Sequence, residues 1–213
     1  MKRFLTSIPR QKILDTDDAA FPYIPVEADE LLYKPVPFPV LALMNACVSA
    51  GDKVALIALR LDPRSENDLS NVNFRALSES AAELCAEKGA ELEIIDFRVP
   101  NDETITAQLS IFGELIGKFS PGDEVFADLT YGTKPQMLSQ FFALNFVSEA
   151  LDGASVVKVV YGSLDFSAAP GTNRKRIYDI TPLFMMNRIV NRLGEFGHPD
   201  PVDAIRKLLV FVK

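Results

Sequence analysis

Histidine is nearly absent from this chain: His198 is the only one, and it stands in a Gly197-His198-Pro199 turn near the C-terminus. That argues against a histidine general base in any crevice formed by the body of the protein. Arg192 and His198 mimic an R-x5-H ribonuclease signature, yet only 15 residues follow His198, too few for a separate helical nuclease domain. A lone histidine in such a turn reads as surface. Cysteine is equally scarce. Cys47 and Cys85 lie in helix-like apolar stretches without the Cys/His spacing of a metal site, so neither a metal nor a cofactor is expected. They read as buried thiols of a reducing, cytoplasmic environment. No apolar run approaches the ~18 residues a bilayer span requires, so no membrane association is expected. The start, Met1-Lys2-Arg3-Phe4-Leu5, resembles a signal peptide for five residues before Pro9, Arg10 and Lys12 interrupt it. A basic surplus is also missing. The net charge of −7 argues against partnership with long DNA or RNA, though a small anion in a local pocket is compatible with it. Cations gather at Lys2, Arg3, Arg10 and Lys12 and again at Arg174, Lys175 and Arg176, and solvated surface is the plain reading of both clusters.

What remains is a chain of 213 residues, 48% hydrophobic, with no internal repeat or low-complexity tract, which suits one α/β domain with a small appendage. Lys2–Ile8 reads as a first strand. Residues 9–39 are irregular and hold six of the fourteen prolines, a lid or an inserted hairpin. A helix is expected over Val40–Ala50, a buried strand over Lys53–Leu59 and a polar loop over Asp62–Asn71. An amphipathic helix follows, with Phe74, Leu77, Ala81, Leu84 and Cys85 inward and Gly89 as its C-terminal cap. Glu91–Val99 reads as a strand. The next helix, capped by Asn101 or Asp102, is expected to turn Ile105, Leu109, Phe112 and Ile116 inward. A strand over 124–129 leads into a helix over 136–151 that is apolar on almost all sides, so burial on more than one side, by a dimer partner or another layer, is expected. Val156–Phe166 and Arg174–Ile180 read as a hairpin joined by a turn over 170–173. Pro182–Leu193 and Pro201–Val212 read as short helices. Strands alternating with helices predict a Rossmann-like, mostly parallel sheet flanked by helices, with a late antiparallel β-hairpin. The body is expected to occupy 1–190, with 191–213 as a helical appendage.

The stretch Asp128-Leu129-Thr130-Tyr131-Gly132-Thr133-Lys134-Pro135 joins a strand to a helix. A helix start offers unpaired N–H groups and the positive end of a dipole, Gly132 lets the backbone approach closely, and Lys134 adds a full charge. That combination points to a phosphate-bearing ligand. Walker A spacing fails, because Ala127 stands at its first glycine and Thr133 at its lysine, and no G-x-G-x-x-G follows the first strand. In an open α/β sheet, ligands bind beyond the carboxyl ends of the strands at a switch in strand order. If the first and fourth predicted strands are neighbours, Thr6-Ser7-Ile8-Pro9-Arg10 and Thr130–Lys134 face one crevice. Asp128 reads as a residue that ties down the loop backbone; Tyr161 and Gly162 end a strand and can line the same crevice.

Asp128–Lys134 resembles the signature loop of the CRISPR-associated Rossmann fold (CARF) family, which carries Asp-Ile-Thr-His-Gly-x-Arg or Thr-Gly-Gly-Thr-Lys there. Val160-Tyr161-Gly162-Ser163-Leu164 is similar to the Tyr-Gly-Ala-Leu of a later strand, Tyr178–Leu183 to the Asp-Leu-Thr before the closing helix, and Phe4-Leu5-Thr6-Ser7 to a first strand ending in hydroxyls. The matches come in family order across residues 2–190. Tyr131 departs from the family's His or Gly. The resemblance implies binding of a cyclic oligoadenylate, the second messenger of type III CRISPR immunity, across a homodimer. A two-fold axis duplicates Ser7 and Lys134 and suits an even-membered ring such as cyclic tetra-adenylate. It also implies a ring nuclease that cleaves the messenger without metal and switches the antiviral response off. Lys134 and Ser7 are the implied catalytic residues. Thr6, Arg10, Thr130, Tyr131, Gly132, Thr133, Gln136, Tyr161 and Gly162 are implied to bind the ligand, with Tyr23, Lys34 or Arg10 contributing from the 9–39 segment. Two alternatives stand beside this: a sensor that binds without cleaving, and an unrelated Rossmann-like enzyme acting on a nucleotide or sugar phosphate.

Overall fold

A computed structural model describes residues 1–14, 16–169 and 171–210. The strands are β1 (Lys2–Ser7), β2 (Ile24–Val26), β3 (Lys53–Leu61), β4 (Glu91–Val99), β5 (Glu124–Asp128), β6 (Ser155–Leu164) and β7 (Lys175–Asp179). The helices are α1 (Pro39–Cys47), α2 (Leu69–Lys88), α3 (Ile105–Ile116), α4 (Lys134–Ala150), α5 (Thr181–Glu195) and α6 (Pro201–Val210). The chain divides into two units, Met1–Asp179 and Ile180–Lys213. The first holds one seven-stranded sheet in the order β2-β7-β6-β5-β1-β3-β4. Every strand pairs in parallel with its neighbours except β6 and β7, which are antiparallel from Val160 opposite Asp179 to Leu164 opposite Lys175. The fold is therefore α/β and Rossmann-like, with the expected late hairpin; Pro170 of its turn lies outside the described residues.

The middle of each central strand is apolar (Phe4 and Leu5 in β1, 54–59 in β3, 125–127 in β5) because helices cover both faces, as a parallel sheet requires. One face carries Phe4, Leu56, Ala58 and Phe126 against the buried residues of α1 and α2, with Phe4 and Phe126 stacked 4.8 Å apart. Alternation along the strands turns Leu5, Ile57, Val125 and Ala127, all buried, toward the other face. The second unit comprises α5 and α6 among the described residues; Phe211 and Val212, expected to end the last helix, lie outside them.

Three local expectations are corrected. The 9–39 segment is neither a hairpin nor wholly irregular: two 3₁₀ turns (Asp17–Ala20 and Asp29–Leu31) flank β2, which adds a parallel strand at the sheet edge. Pro25 in its middle hides the strand from pattern reading, and an edge is where a strand tolerates a residue without an N–H. Helix α2 starts inside the expected polar loop, because Asp68 caps it by accepting from the Ser70 amide at 2.9 Å. Helix α3 is capped by Thr104, and it buries Gln108, Ile111 and Leu115 while Ile105 and Leu109 stand 73% and 62% exposed. It carries two apolar stripes, and of the one predicted to face inward, Ile105 and Leu109 face out while Phe112 and Ile116 are half-buried. Cys85 is buried as expected, whereas Cys47 is half-buried. No helix among the described residues is long and apolar enough to cross a membrane.

Candidate functional site

Strands β1 and β5 are hydrogen-bonded neighbours, with Thr6 opposite Asp128. From β1 the order runs outward to β3 and β4, and from β5 outward to β6 and β7. This is the switch in strand order, so the loops that follow β1 and β5 open side by side beyond the strand ends.

Asp128 fixes the loop from within. It is fully buried and its carboxylate accepts four hydrogen bonds: from the Thr6 hydroxyl at 3.0 Å, the Val40 amide at 3.1 Å, the Thr130 amide at 3.0 Å and the Thr130 hydroxyl. Thr130 Oγ1 in turn accepts from the Gly162 amide at 2.7 Å, which ties the loop to β6. Burial pushes the Asp128 carboxyl up from 3.8 to about 6, and the donated hydrogen bonds pull against it. A folded pKa above the unfolded one means that the native state holds the extra proton between about pH 4 and pH 6. The stability this group contributes is therefore present at the acid end, falls as pH rises through about 6, and is flat beyond. Urea unfolding should show the lead of the wild type over Asp128→Asn shrinking by at least ~1 kcal/mol between about pH 4.5 and pH 7.5. A pH-independent difference would remove Asp128 as the titrating group.

The turn above it is set by Gly132, at φ +113, a left-handed region that favours glycine. A Cβ there would lie 2.9 Å from Gln136 Oε1 and 3.2 Å from Ser7 Oγ. Thr133 and Gln136 form a reciprocal capping box at the start of α4. That box satisfies the Thr133 and Gln136 amides, and Pro135 has none. The Gly132 and Lys134 amides find no acceptor among the described residues. Lys134 is exposed at the first position of α4, and its ammonium has no ion-pair or hydrogen-bond partner among the described residues. Two unpaired amides and an unpaired ammonium at a helix start are groups whose chemistry would suit an anion.

Two cavities flank the loop. One, of about 480 Å³, is walled by Arg10, Gln11, Thr130, Tyr131, Gly132, Thr133 and Gln136. The other, of about 390 Å³, lies between the 9–39 segment and the β6–β7 hairpin, with Tyr23, Thr130, Tyr131, Tyr161, Gly162, Phe166 and Lys175 in its walls. Thr6, Ser7 and Lys134 belong to the walls of neither cavity. Thr6 is committed to Asp128, and Ser7 is buried with its Oγ accepting from Gln140 Nε2 at 3.0 Å. Arg10 reaches across to the Asp62 carbonyl and lies 3.3 Å from Asp68, leaving its Nε and Nη1 without partners. Lys34 lines neither cavity and rests over the Tyr33 ring.

Lys175 is the residue that sequence reasoning missed. The surface reading of Arg174, Lys175 and Arg176 fails: Lys175 is buried, donating to the Phe21 and Val36 carbonyls with its ammonium 4.2 Å over the Tyr23 ring. Arg174 pairs with Asp18 and Arg176 with Asp165. Burial lowers the Lys175 ammonium to about 8. Together these contacts clamp the proline-rich segment over the second cavity. His198 lies on the surface of the second unit, its Nδ1 accepting from the Asp200 amide.

A third, apolar cavity of about 520 Å³ runs between α3 and α4, lined by Ile105, Leu109, Phe112, Pro135, Leu138 and Phe142. The expected two-sided burial of α4 is thus absent within one chain: Leu138 and Phe142 are more than half exposed, about one and two turns along the helix from Lys134.

Fold and loop together define an α/β protein whose strand-order switch carries a glycine turn into a capped helix start. No family profile matches the chain. The chain is similar to a CRISPR-associated protein, MJ1674 of Methanocaldococcus jannaschii, with 26% identity over 121 residues. The match covers 57% of this chain and 18% of that protein, so the chain corresponds to under a fifth of the relative's length.

Proposed function

We propose that this protein binds a cyclic oligoadenylate, with cyclic tetra-adenylate favoured, across a homodimer and cleaves it without metal. The observation that carries the reading is the turn at Gly132–Lys134. Two unpaired amides and the unpaired ammonium of an exposed lysine meet at the strand-order switch. The similarity to a CRISPR-associated protein and the resemblance of the Asp128–Lys134 motif to the CARF loop support the ligand class. The open α3–α4 groove supports the dimer, because Pro135 belongs to its lining and Lys134 adjoins it. A two-fold axis through that groove brings two copies of the loop to one ring.

In the proposed reaction a ribose 2′-oxygen attacks its own 3′-phosphorus, the bond from phosphorus to the 5′-oxygen breaks, and a 2′,3′-cyclic phosphate and a 5′-hydroxyl result. The 2′-proton leaves to water, and water returns one to the 5′-oxygen. Lys134 and the free amides stabilise the charge that grows on the phosphorane, and the walls hold the 2′-oxygen in line. Ser7 acts from below, setting the height of Gly132. The anion-side cavity is lined by neither carboxylate nor histidine, an observation that favours the sensor as the second reading. Incubation with cyclic tetra-adenylate in EDTA decides between them. Linear adenylates ending in a 2′,3′-cyclic phosphate are expected; tight binding with the ring intact selects the sensor, and no binding rejects both.

A further inference from the structure

The two cavities that flank the loop share a wall. Gln11, Thr130 and Tyr131 line both. The surroundings differ in character. On one side stand Arg10, Gly132, Thr133 and the start of α4, which suit an anion. On the other stand Tyr23, Tyr161 and Phe166, with Tyr161 and Phe166 exposed, which suit a flat aromatic group.

The wall is fixed at several points. The Tyr131 hydroxyl donates to the Pro37 carbonyl at 3.1 Å, and its ring packs on the core. Thr130 is held by Asp128 and Gly162, and the capping box of Thr133 and Gln136 fixes the other end of the turn. The Gln11 carbonyl accepts from Asn73 Nδ2, a buried amide that also holds the Pro9 carbonyl.

Resting on the ligand class proposed above, we infer that Tyr131 is the residue that sets ligand size: it splits one trough into a phosphate compartment and a base compartment. A bound nucleotide unit must then straddle the Tyr131 ring, with its phosphate toward Gly132 and Lys134 and its base toward Tyr161. Only rings whose spacing from phosphate to base matches the width of that wall fit both compartments. Burial keeps the phenol protonated by raising it to about 12, so the tie to Pro37 holds at any physiological pH.

The test is a set of dissociation constants for AMP, linear diadenylate and the cyclic tri-, tetra- and hexa-adenylates. Wild type, Tyr131→Phe and Tyr131→Ala are compared. Wild type should prefer one ring size by ~10-fold or more, Tyr131→Phe should keep that preference, and Tyr131→Ala should reduce it to within ~3-fold. If Tyr131→Ala does not fold, Tyr131→Leu removes the hydroxyl and the far half of the ring and serves in its place. An unchanged size preference in the truncated variant overturns the partition and leaves the proposed ligand standing. Binding of AMP or diadenylate but of no ring, with their relative affinities altered only by truncation, overturns the ring ligand and keeps the partition. Binding of no adenylate by wild type overturns both.

Discussion

Lys134→Ala is expected to slow ring cleavage by ~10²–10³-fold and to leave the melting temperature unchanged. Both halves follow from one fact. The side chain is exposed and has no partner among the described residues, so the fold does not lean on it. A cation at a helix N-terminus works against the dipole, and an anion in the turn offsets that cost. Removing the ammonium leaves the Gly132 and Lys134 amides in place but strips the full charge from the developing phosphorane. Lys134→Arg, which restores charge with a different reach, should recover part of the loss. Ser7→Ala should slow cleavage less, because Ser7 touches the loop from beneath and donates nothing to a cavity. A Lys134→Ala variant cleaving at the wild-type rate would take the residue out of the mechanism. One that melts early would show a structural role the fold does not display.

Gly162→Ala is the second large effect. A Cβ at Gly162 would lie 2.6 Å from Pro39 Cγ, 3.1 Å from Thr130 Oγ1 and 3.1 Å from Tyr23 Cε1. None of the three can yield cheaply. Pro39 is buried at the first turn of α1, Thr130 is hydrogen-bonded to Asp128 and to Gly162 itself, and Tyr23 carries the Lys175 ammonium on its ring. Overpacking of this kind costs ~1–3 kcal/mol, and displacing Thr130 loosens the signature loop as well. A fall of roughly 5–10 °C in melting temperature is expected, together with weaker ligand binding. Gly113→Ala is the control: its Cβ would meet nothing within 4 Å and its backbone is helical, so it should be neutral or slightly stabilising. Equal melting of the two variants would contradict the packing described around Gly162.

Much of this fold is legible in the sequence. The alternation of strands and helices, the Gly89 cap, the late hairpin and the Gly132-Thr133-Lys134 turn all carry local signals, and the structure places them as read. Local signals fail where two solutions share one pattern. Helix α3 has an apolar stripe on each side, and sequence alone does not say which meets the sheet. The β2 strand is disguised by Pro25 and exists because β7 offers it an edge. At the site, Asp128 reads correctly as a tie for the loop, since a carboxylate two residues before a threonine amide is a local device. Lys175 and Tyr23 lie far along the chain from the loop, and only the strand order brings them beside it. Lys175 in particular sits between two arginines that stay nearer the surface, and nothing local distinguishes it from them.

Calorimetric titration of the full chain with cyclic tetra-adenylate in EDTA, for wild type and Lys134→Ala, tests the anion-binding turn most directly. The account predicts one ring per two chains and an affinity at least ~10-fold weaker without the ammonium. No heat of binding, or an affinity indifferent to Lys134, would contradict it.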